Sequence, residues 1–347
     1  MPKRTWLVTG GAGFIGANTV SRLGELGDRA IILDNLSRAT ARLNLDWLED
    51  KASVELVRAD VCDAAAVDRV FAEHGPFDSV LHLAGQVAVT TSVQAPRDDL
   101  ETNVVGSFNV LDATRRLSPE AVFLNASTNK VYGQLSHHII DEAETRYVDR
   151  DAPAGISESE PLDPCSPYGC SKCAADTYTL DYARVYGMRT VSLRQSCIYG
   201  PRQFGIEDQG WVAWFAMAIR LGKPLTIFGT GKQVRDLLHV DDLVDMYLRL
   251  VDNPEVCDGR AYNVGGGPEN AVSLLELLTR LAGWRATPAI RHSEARAGDQ
   301  LVFVADTAKA RVEVGWVPRI SFEDGLGDLL AFVDEHAPGT AALLDHA

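Results

Sequence analysis

The sequence lacks any surplus of positive charge. It contains 33 lysines and arginines against 48 aspartates and glutamates, so its formal net charge is −15. Proteins that bind nucleic acid or an anionic membrane need a basic face. The acidic balance therefore argues against both kinds of partner, and any phosphate of a ligand must be met by locally placed donors.

Long hydrophobic runs and low-complexity blocks are also missing. No run of 18 apolar residues occurs, and 46% apolar with 23% charged residues is typical of a soluble globular protein without a membrane span. With 347 residues the chain can bury a full core, as one large domain plus a smaller one or as two of similar size. Because Met1–Thr5 leads into a strand-like run without a signal peptide, we expect a cytoplasmic protein.

Cysteine is scarce, with only six in the chain, and thiols in a sequence without a leader are expected to be reduced. Cys170 and Cys173 have the spacing of a redox pair or of half a zinc site. Since no second pair of this kind exists and Lys172 lies between the two, we expect neither a metal nor a redox role.

The chain opens with a strand, a glycine turn and a helix. In Gly10–Gly16 the glycines allow a tight turn and a close approach of backbone to a pyrophosphate, and the helix supplies free N–H donors. The next strand, Arg29–Asp34, ends in a carboxylate that can accept hydrogen bonds from an adenosine ribose and would repel a 2′-phosphate. The pattern favours NAD over NADP, although Arg38 keeps NADP open.

Strand-like and helical segments then alternate, which predicts a Rossmann-type, doubly wound α/β fold with a parallel sheet covered on both faces. We expect Arg189–Arg194 to be the last strand of this sheet. The predicted domains are 1–197, which binds NAD, and 198–347, a smaller α/β domain that mainly binds substrate and sends segments back to the sheet. Ligands of such sheets lie beyond the carboxyl ends of the strands. Besides Tyr168 and Lys172, the candidate cofactor contacts are Gly10, Gly13, Phe14, Ile15, Asp34, Asn35, Ser37, Arg38, Asp60, Val61, Leu83, Ala84, Gln86, Asn103 and Gln195.

Tyr168 and Lys172 are four residues apart at the start of a predicted helix, which places both side chains on one face about 6 Å apart along the axis. The ammonium is expected to lower the pKa of the phenol from roughly 10 toward working pH. Tyr168 would then be a usable acid and base. An isolated pair of this kind is usually an ordinary surface feature, so the surrounding sequence must decide whether the pair is catalytic.

Three other features have plainer interpretations. His82 lies inside an apolar strand and is expected to be a hydrogen-bonded core histidine. Trp211, Trp214 and Phe215 follow helical spacing and fit a core better than a base-stacking platform. The acidic 133–165 connection is predicted to cover the site as a lid, to pack beside it, or to be a surface excursion.

In this context the sequence resembles the extended short-chain dehydrogenase/reductase family, within the NAD-dependent epimerases and dehydratases. The motifs that carry the resemblance span nearly the whole chain: Thr9–Gly16, Asp60-Val61, His82–Gly85, Thr128 before Val131-Tyr132-Gly133, and Tyr168-x-x-x-Lys172. The resemblance implies that Thr128, Tyr168 and Lys172 are the catalytic trio. Tyr168 would exchange the proton of the sugar hydroxyl, Lys172 would bind the nicotinamide ribose, and Thr128 would hydrogen-bond the reacting oxygen.

Longer strings are similar to the CDP-tyvelose (CDP-paratose) 2-epimerases, among them Ser127–Gly133, Asp141–Tyr147, Ser166–Lys172 and Tyr199–Phe204. This resemblance implies a nucleotide-diphosphate sugar, CDP-hexose in this subfamily, as substrate and a homodimer or homotetramer paired through helices 97–117 and 168–186. Arg235 and Arg296 suit a diphosphate, although each could instead form a surface salt bridge. The candidate substrate contacts are Gln86, Thr128, Asn129, Cys197, Gln203, Gln209, Gly210, Arg235 and Arg296.

The resemblance leaves three reaction classes to separate. Dehydratases of the family carry an Asp-Glu pair after the threonine, where this chain has Asn129-Lys130, so elimination of water is disfavoured. Gln195-Ser196-Cys197 stands where related 4-epimerases carry Tyr-Phe-Asn. A 2-epimerase is therefore expected, with a 4-epimerase or related sugar oxidoreductase as the alternative and a non-catalytic NAD-binding sensor as the remote one.

Overall fold

The computed structural model describes residues 3–49, 54–296 and 298–344. The strands are β1 (Thr5–Thr9), β2 (Arg29–Asp34), β3 (Glu55–Arg58), β4 (Ser79–His82), β5 (Val122–Thr128), β6 (Ile140–Glu142), β7 (Tyr147–Asp149), β8 (Arg189–Gln195), β9 (Cys197–Tyr199), β10 (Leu225–Phe228), β11 (Val234–His239), β12 (Asp258–Val264), β13 (Ala271–Ser273), β14 (Ile290–Ser293) and β15 (Val302–Phe303). The α-helices are α1 (Phe14–Leu26), α2 (Ala41–Glu49), α3 (Ala64–His74), α4 (Val89–Gln94), α5 (Pro96–Leu100), α6 (Ser107–Leu117), α7 (Ser166–Tyr186), α8 (Trp211–Leu221), α9 (Val240–Asp252), α10 (Leu274–Ala282), α11 (Ala308–Val314) and α12 (Phe322–Leu344).

The chain forms two compact units, and both are built from separated stretches. The first comprises Met1–Val131, Pro167–Arg194 and Val244–Tyr262. The second comprises Tyr132–Ser166, Gln195–Leu243 and Asn263–Ala347.

A seven-stranded sheet in the order β12-β8-β5-β4-β1-β2-β3 forms the first unit. Its strands pair in parallel where β1 meets β2 and β4, where β2 meets β3, and where β4 meets β5. The predicted Rossmann-type α/β fold is confirmed. The expectation that Arg189–Arg194 is the last strand is wrong, because β12 lies beyond β8 and covers an edge whose backbone groups would otherwise be unpaired.

Apolar side chains on both faces explain why this sheet is buried. Leu7, Ile31, Val80 and Phe123 are 1% exposed or less and pack in one cluster with residues of α3 and α6, and the alternate strand residues Trp6, Val8 and Ile32 are buried as well. Strands that are covered on both faces must be apolar almost throughout, which is the pattern that the sequence shows. The carboxyl ends of β1, β2, β4 and β5 thus reach the same edge of a rigid layer.

The predicted helix 97–117 is interrupted by a wider turn. It consists of α5, a π-helical segment Glu101–Gly106, and α6. Such wide turns occur often at functional sites, and this one carries Asn103.

The second unit has its own core around α8. Trp214 and Phe215 are buried there with residues of α12, and Trp211 packs against the same cluster, as expected. The 133–165 connection belongs to this unit and packs within it. Tyr147 N donates to Lys232 O at 2.9 Å, Ile156 N donates to Val304 O at 2.7 Å, and Arg146 forms an ion pair with Glu276. Within the described ranges, no helix combines the length and apolar character that a membrane crossing requires.

Candidate active site

The glycine turn between β1 and α1 leaves no room for side chains at two of its positions. Gly10 has φ +67°, and a Cβ there would lie 2.8 Å from Ala84 N; a Cβ at Gly16 would lie 2.5 Å from Gly10 O. Gly13 precedes α1 in extended conformation, and in the described structure neither a side-chain cap nor an acidic residue occupies the first turn. The N–H groups there, including those of Phe14 and Ile15, form an uncapped helix N-terminus. This arrangement fits the pyrophosphate of NAD.

At the end of β2, Asp34 connects this turn to the next loop. Its carboxylate accepts hydrogen bonds from Ala12 N at 3.1 Å and from Leu36 N at 2.8 Å. Asn35 then donates to Asp60 at 2.8 Å and accepts from Ser37 N at 2.9 Å. The predicted adenosine contacts therefore form two hydrogen-bonded groups at the carboxyl ends of β2 and β3, and the backbone between Asp34 and Asn35 joins them. Exposed Arg38 follows, and buried Val61 lies next to Asp60 in the chain.

The loop after β4 is held by a fully buried amide. Asn103 Oδ1 accepts from Gln86 N at 2.9 Å, while Nδ2 donates to Gln86 O at 3.0 Å and to Ser171 Oγ at 3.1 Å. The backbone N–H groups of Leu83 and Ala84 donate to Thr9 Oγ1, each at 3.2 Å. Asn103 thus ties the predicted cofactor loop to α7.

Thr128, Tyr168 and Lys172 meet at the junction of β5 and α7. The three residues are 7%, 8% and 6% exposed, respectively. The Thr128 hydroxyl hydrogen-bonds the Tyr168 phenol, and it also donates to Asn129 Oδ1 at 3.2 Å. Lys172 lies one helical turn after Tyr168 on α7. The three residues predicted to be catalytic are therefore brought into one buried cluster.

Burial dominates the protonation behaviour of this cluster. Burial raises the pKa of Tyr168 to about 12 and exceeds the opposing effect of the Thr128 hydrogen bond. Burial also lowers the pKa of Lys172 to about 8, although Asp99 and Asp176 favour its charged form. The expectation that Lys172 lowers the pKa of Tyr168 toward working pH is wrong for the chain alone, because loss of hydration raises this pKa, the charge of Asp99 raises it further, and the hydrogen bond to Thr128 is the effect that lowers it. Tyr168 needs further stabilisation of its anion before it can act as a base.

Two acidic residues that sequence reasoning missed support Lys172. Asp176 is fully buried and accepts hydrogen bonds from Ser192 Oγ at 2.7 Å and from Arg194 Nε and Nη2 at 3.1 and 3.0 Å. Asp99 is 1% exposed, and its Oδ2 makes no hydrogen bond within the described part of the chain. Asp176 could have been found from the sequence, since it follows Lys172 by four residues on the same helix.

His82 is a core residue, as predicted. Its ring nitrogens lie 2.8 Å from Thr9 Oγ1 and 2.9 Å from Ser107 Oγ. Burial, reinforced by the charge of Lys172, lowers the pKa of His82 to about 3, so the ring is neutral at working pH.

The remaining candidate contacts lie in the second unit. Gln195 ends β8, Cys197 begins β9, and Cys197 Sγ accepts from Trp211 Nε1 at 3.0 Å. Gly210 has φ +73°, and a Cβ there would lie 2.9 Å from the amide of Gln203, so these two predicted contacts are neighbours. Gln209 precedes Gly210 and pairs with Ile206 through two backbone hydrogen bonds of 2.9 and 3.0 Å.

Arg235 and Arg296, the two arginines predicted to bind the diphosphate, each form an ion pair with an acidic residue. Arg235 Nη2 lies 2.7 Å from Asp299, and Arg296 Nη2 lies 2.8 Å from Asp208. The guanidinium of Arg296 also lies 4.0 Å from the centre of the Phe228 ring. The alternative of salt bridges is thus realised for both arginines, and a diphosphate would have to share or displace the carboxylates.

Comparison with known proteins supports the sequence interpretation. The profile of the NAD dependent epimerase/dehydratase family matches residues 6–265. CDP-paratose 2-epimerase of Salmonella typhi is 45% identical over 92% of this chain and 96% of its own. The structure of Thermus thermophilus UDP-glucose 4-epimerase in complex with NAD has a TM-score of 0.81 at 31% identity, covering 96% of this chain and 99% of its own. A dTDP-glucose 4,6-dehydratase of Streptomyces venezuelae with NAD and TYD bound has a TM-score of 0.83 at 28% identity, covering 98% and 99%.

Proposed function

The chain belongs to the NAD dependent epimerase/dehydratase family, and we propose that it inverts carbon 2 of a nucleotide-diphosphate sugar of the CDP-paratose and CDP-tyvelose type. The family assignment confirms the expectation of an NAD-dependent enzyme. The 2-epimerase activity rests on the 45% identity to the Salmonella enzyme. The observation that carries the chemistry is the buried cluster of Thr128, Tyr168 and Lys172, which suits removal and return of a proton at one sugar hydroxyl.

Each residue of the cluster has a defined task in this proposal. Tyr168 takes the proton of the sugar hydroxyl while the carbon is oxidised, and returns it after the keto-sugar has turned its other face. Thr128 holds the reacting oxygen through its hydroxyl. Lys172 holds the nicotinamide ribose and supplies positive charge next to the phenol. Bound NAD supplies the hydride acceptor and donor and is regenerated in each turnover.

The residues next to Thr128 favour epimerisation over elimination. Asn129 and Lys130 follow Thr128, so the two residues after it carry no carboxyl that could expel water. Of the two acids near Lys172, Asp176 is bound to Arg194 by two hydrogen bonds. A cycle of oxidation and reduction does not need the pair of carboxyls after Thr128, and it is therefore favoured over elimination.

Inversion at carbon 4 is the second candidate, because a UDP-glucose 4-epimerase is a close structural neighbour. To separate the candidates, purified protein is incubated with CDP-glucose, CDP-paratose and UDP-glucose, and product stereochemistry is read by NMR. We expect inversion at carbon 2 of a CDP-sugar. In deuterium oxide the inverted carbon should stay unlabelled, because the hydride returns directly; label at that carbon would indicate deprotonation instead.

We further propose a cytoplasmic homodimer or homotetramer that pairs through α6 and α7. Phe108, Tyr178, Val185 and Tyr186 on these helices are exposed apolar residues, and the rings of Phe108 and Tyr178 lie 6.1 Å apart. Together they form an apolar strip of the kind that dimer interfaces cover. Sedimentation equilibrium with a Tyr178→Glu variant tests this; we expect dissociation.

A further inference from the structure

Two adjacent histidines and a glutamate, His137, His138 and Glu160, form a compact cluster in the second unit. In sequence the cluster lies between Thr128 and Tyr168, but it shares no residue with the trio. His137 Nε2 lies 2.9 Å from Glu160 Oε1, and His138 Nε2 lies 3.5 Å from Glu160 Oε2. One donor atom of each residue lies within 4.8 Å of the other two. Three nitrogen and oxygen atoms that converge in this way have the composition of a zinc site.

The orientation of His138 is fixed by a carboxylate behind it. Its Nδ1 lies 2.7 Å from Asp149 Oδ2, and Asp149 Oδ1 accepts hydrogen bonds from Asp151 N at 2.9 Å and Ala152 N at 3.2 Å. The backbone thus holds Asp149, and Asp149 holds the imidazole. This leaves Nε2 of His138 directed toward Glu160, in the carboxylate–histidine arrangement that orients metal ligands.

The contact between His137 and Glu160 is poorly explained as a hydrogen bond. Glu160 Oε1 is buried and makes no hydrogen bond within the described residues, although His137 Nε2 is only 2.9 Å away. The two atoms are close but are not aligned for donation. With metal–ligand bonds of about 2.0–2.1 Å, tetrahedral geometry separates ligand atoms by about 3.3 Å. The separations of 2.9 Å from His137 Nε2 to Glu160 Oε1 and 3.5 Å from His138 Nε2 to Glu160 Oε2 are near that value, each to a different oxygen of the carboxylate.

We propose that His137, His138 and Glu160 bind one divalent transition-metal ion, with Zn²⁺ as the best-suited member of the class, and that Asp149 positions His138. Two imidazoles and one carboxylate suit Zn²⁺ better than Ca²⁺ or Mg²⁺, which prefer oxygen ligands. His137 is 64% exposed, so water can complete the coordination. The bound ion joins the turn before β6 to the turn before α7 and thereby braces the 133–165 connection. This inference does not depend on the sugar that the enzyme takes.

The test uses the full chain without a histidine tag, stripped with a chelator. Zn²⁺ is titrated in competition with a chromophoric chelator, and we expect one equivalent per chain. His137→Gln and Glu160→Gln should each weaken binding by more than about 100-fold, and Asp149→Asn by about 10- to 100-fold. His137→Gln should keep the fold because the side chain is mostly exposed.

Two control variants separate this site from other zinc ligands. His74 lies 2.9 Å from Glu55 and 3.9 Å from Glu73, but among the described residues it belongs to no cluster of three ligand atoms that could hold a metal ion, so His74→Gln should leave affinity unchanged. Cys170→Ser should also leave it unchanged. The thermal midpoint should rise with Zn²⁺ in the wild type and not in His137→Gln. Absence of saturable binding, binding that His137→Gln and Glu160→Gln leave intact, or binding abolished by Cys170→Ser would each overturn the proposal.

Discussion

Replacing Lys172 by methionine should stabilise the protein while it removes activity. The ordinary lysine pKa of 10.5 falls to about 8 at this buried site, a gap that corresponds to about 3 kcal/mol of unfolding free energy at neutral pH. The uncharged methionine side chain would not carry this cost, which already includes the favourable charges of Asp99 and Asp176. We therefore expect Lys172→Met to raise the free energy of unfolding by about 1–3 kcal/mol at pH 7.

The stability difference between Lys172→Met and the wild type should depend on pH in a defined direction. Because the pKa in the folded chain lies below that in the unfolded chain, the cost is present in full below pH 8 and fades as the pH rises toward 10.5. The assay is urea unfolding of cofactor-free protein at several pH values between 7 and 10, since bound NAD would add stability of its own. Lys3→Met, at an exposed position, is the control and should change little. A variant less stable than wild type at pH 7, or a difference that does not shrink with rising pH, would refute the reasoning.

Three further substitutions probe the same site. Tyr168→Phe should reduce turnover by about 10²- to 10⁴-fold with little change in NAD affinity, as measured by product NMR and calorimetry, and full turnover would revive the non-catalytic sensor. Asp34→Ala should weaken NAD binding by about 10- to 100-fold in calorimetry and reduce the preference for NAD over NADP. The reason is that it removes the acceptor for the adenosine ribose and the hydrogen bonds from Ala12 and Leu36. An unchanged NAD affinity would contradict the assignment of Asp34 as the ribose contact. Asp176→Asn should lower the free energy of unfolding, measured by urea unfolding, by about 3–5 kcal/mol, because Arg194 stays buried without its charged partner. A loss below about 1 kcal/mol would count against a stabilising ion pair between Asp176 and Arg194.

Sequence reasoning succeeded where the chemistry is local. Gly10 requires a positive φ, and Asp34 ends a strand that follows a glycine turn, so both could be placed from neighbouring residues alone. It failed where burial brings distant residues together. The pKa of Tyr168 depends on how completely the phenol is enclosed, which no spacing along α7 reveals.

The edge of the large sheet shows the same limit on a larger scale. The segment Asp258–Val264 has no local mark that assigns it to β8 rather than to the second unit, because pairing partners of a strand are set by the whole topology. The salt bridges of Arg235 and Arg296 could not be predicted for the same reason. The sequence shows the two cations, but it does not show which carboxylates lie next to them in the fold.

The origin of β12 in residues 258–264 also constrains how the molecule is made on the ribosome. A nascent chain that has emerged only as far as β8 carries an incomplete first unit, in which β8 is an unpaired edge strand that can associate with other chains. The nucleotide-binding unit therefore cannot complete its folding before most of the polypeptide has been synthesised. A fragment that stops at residue 197 should therefore aggregate rather than behave as an independent NAD-binding module.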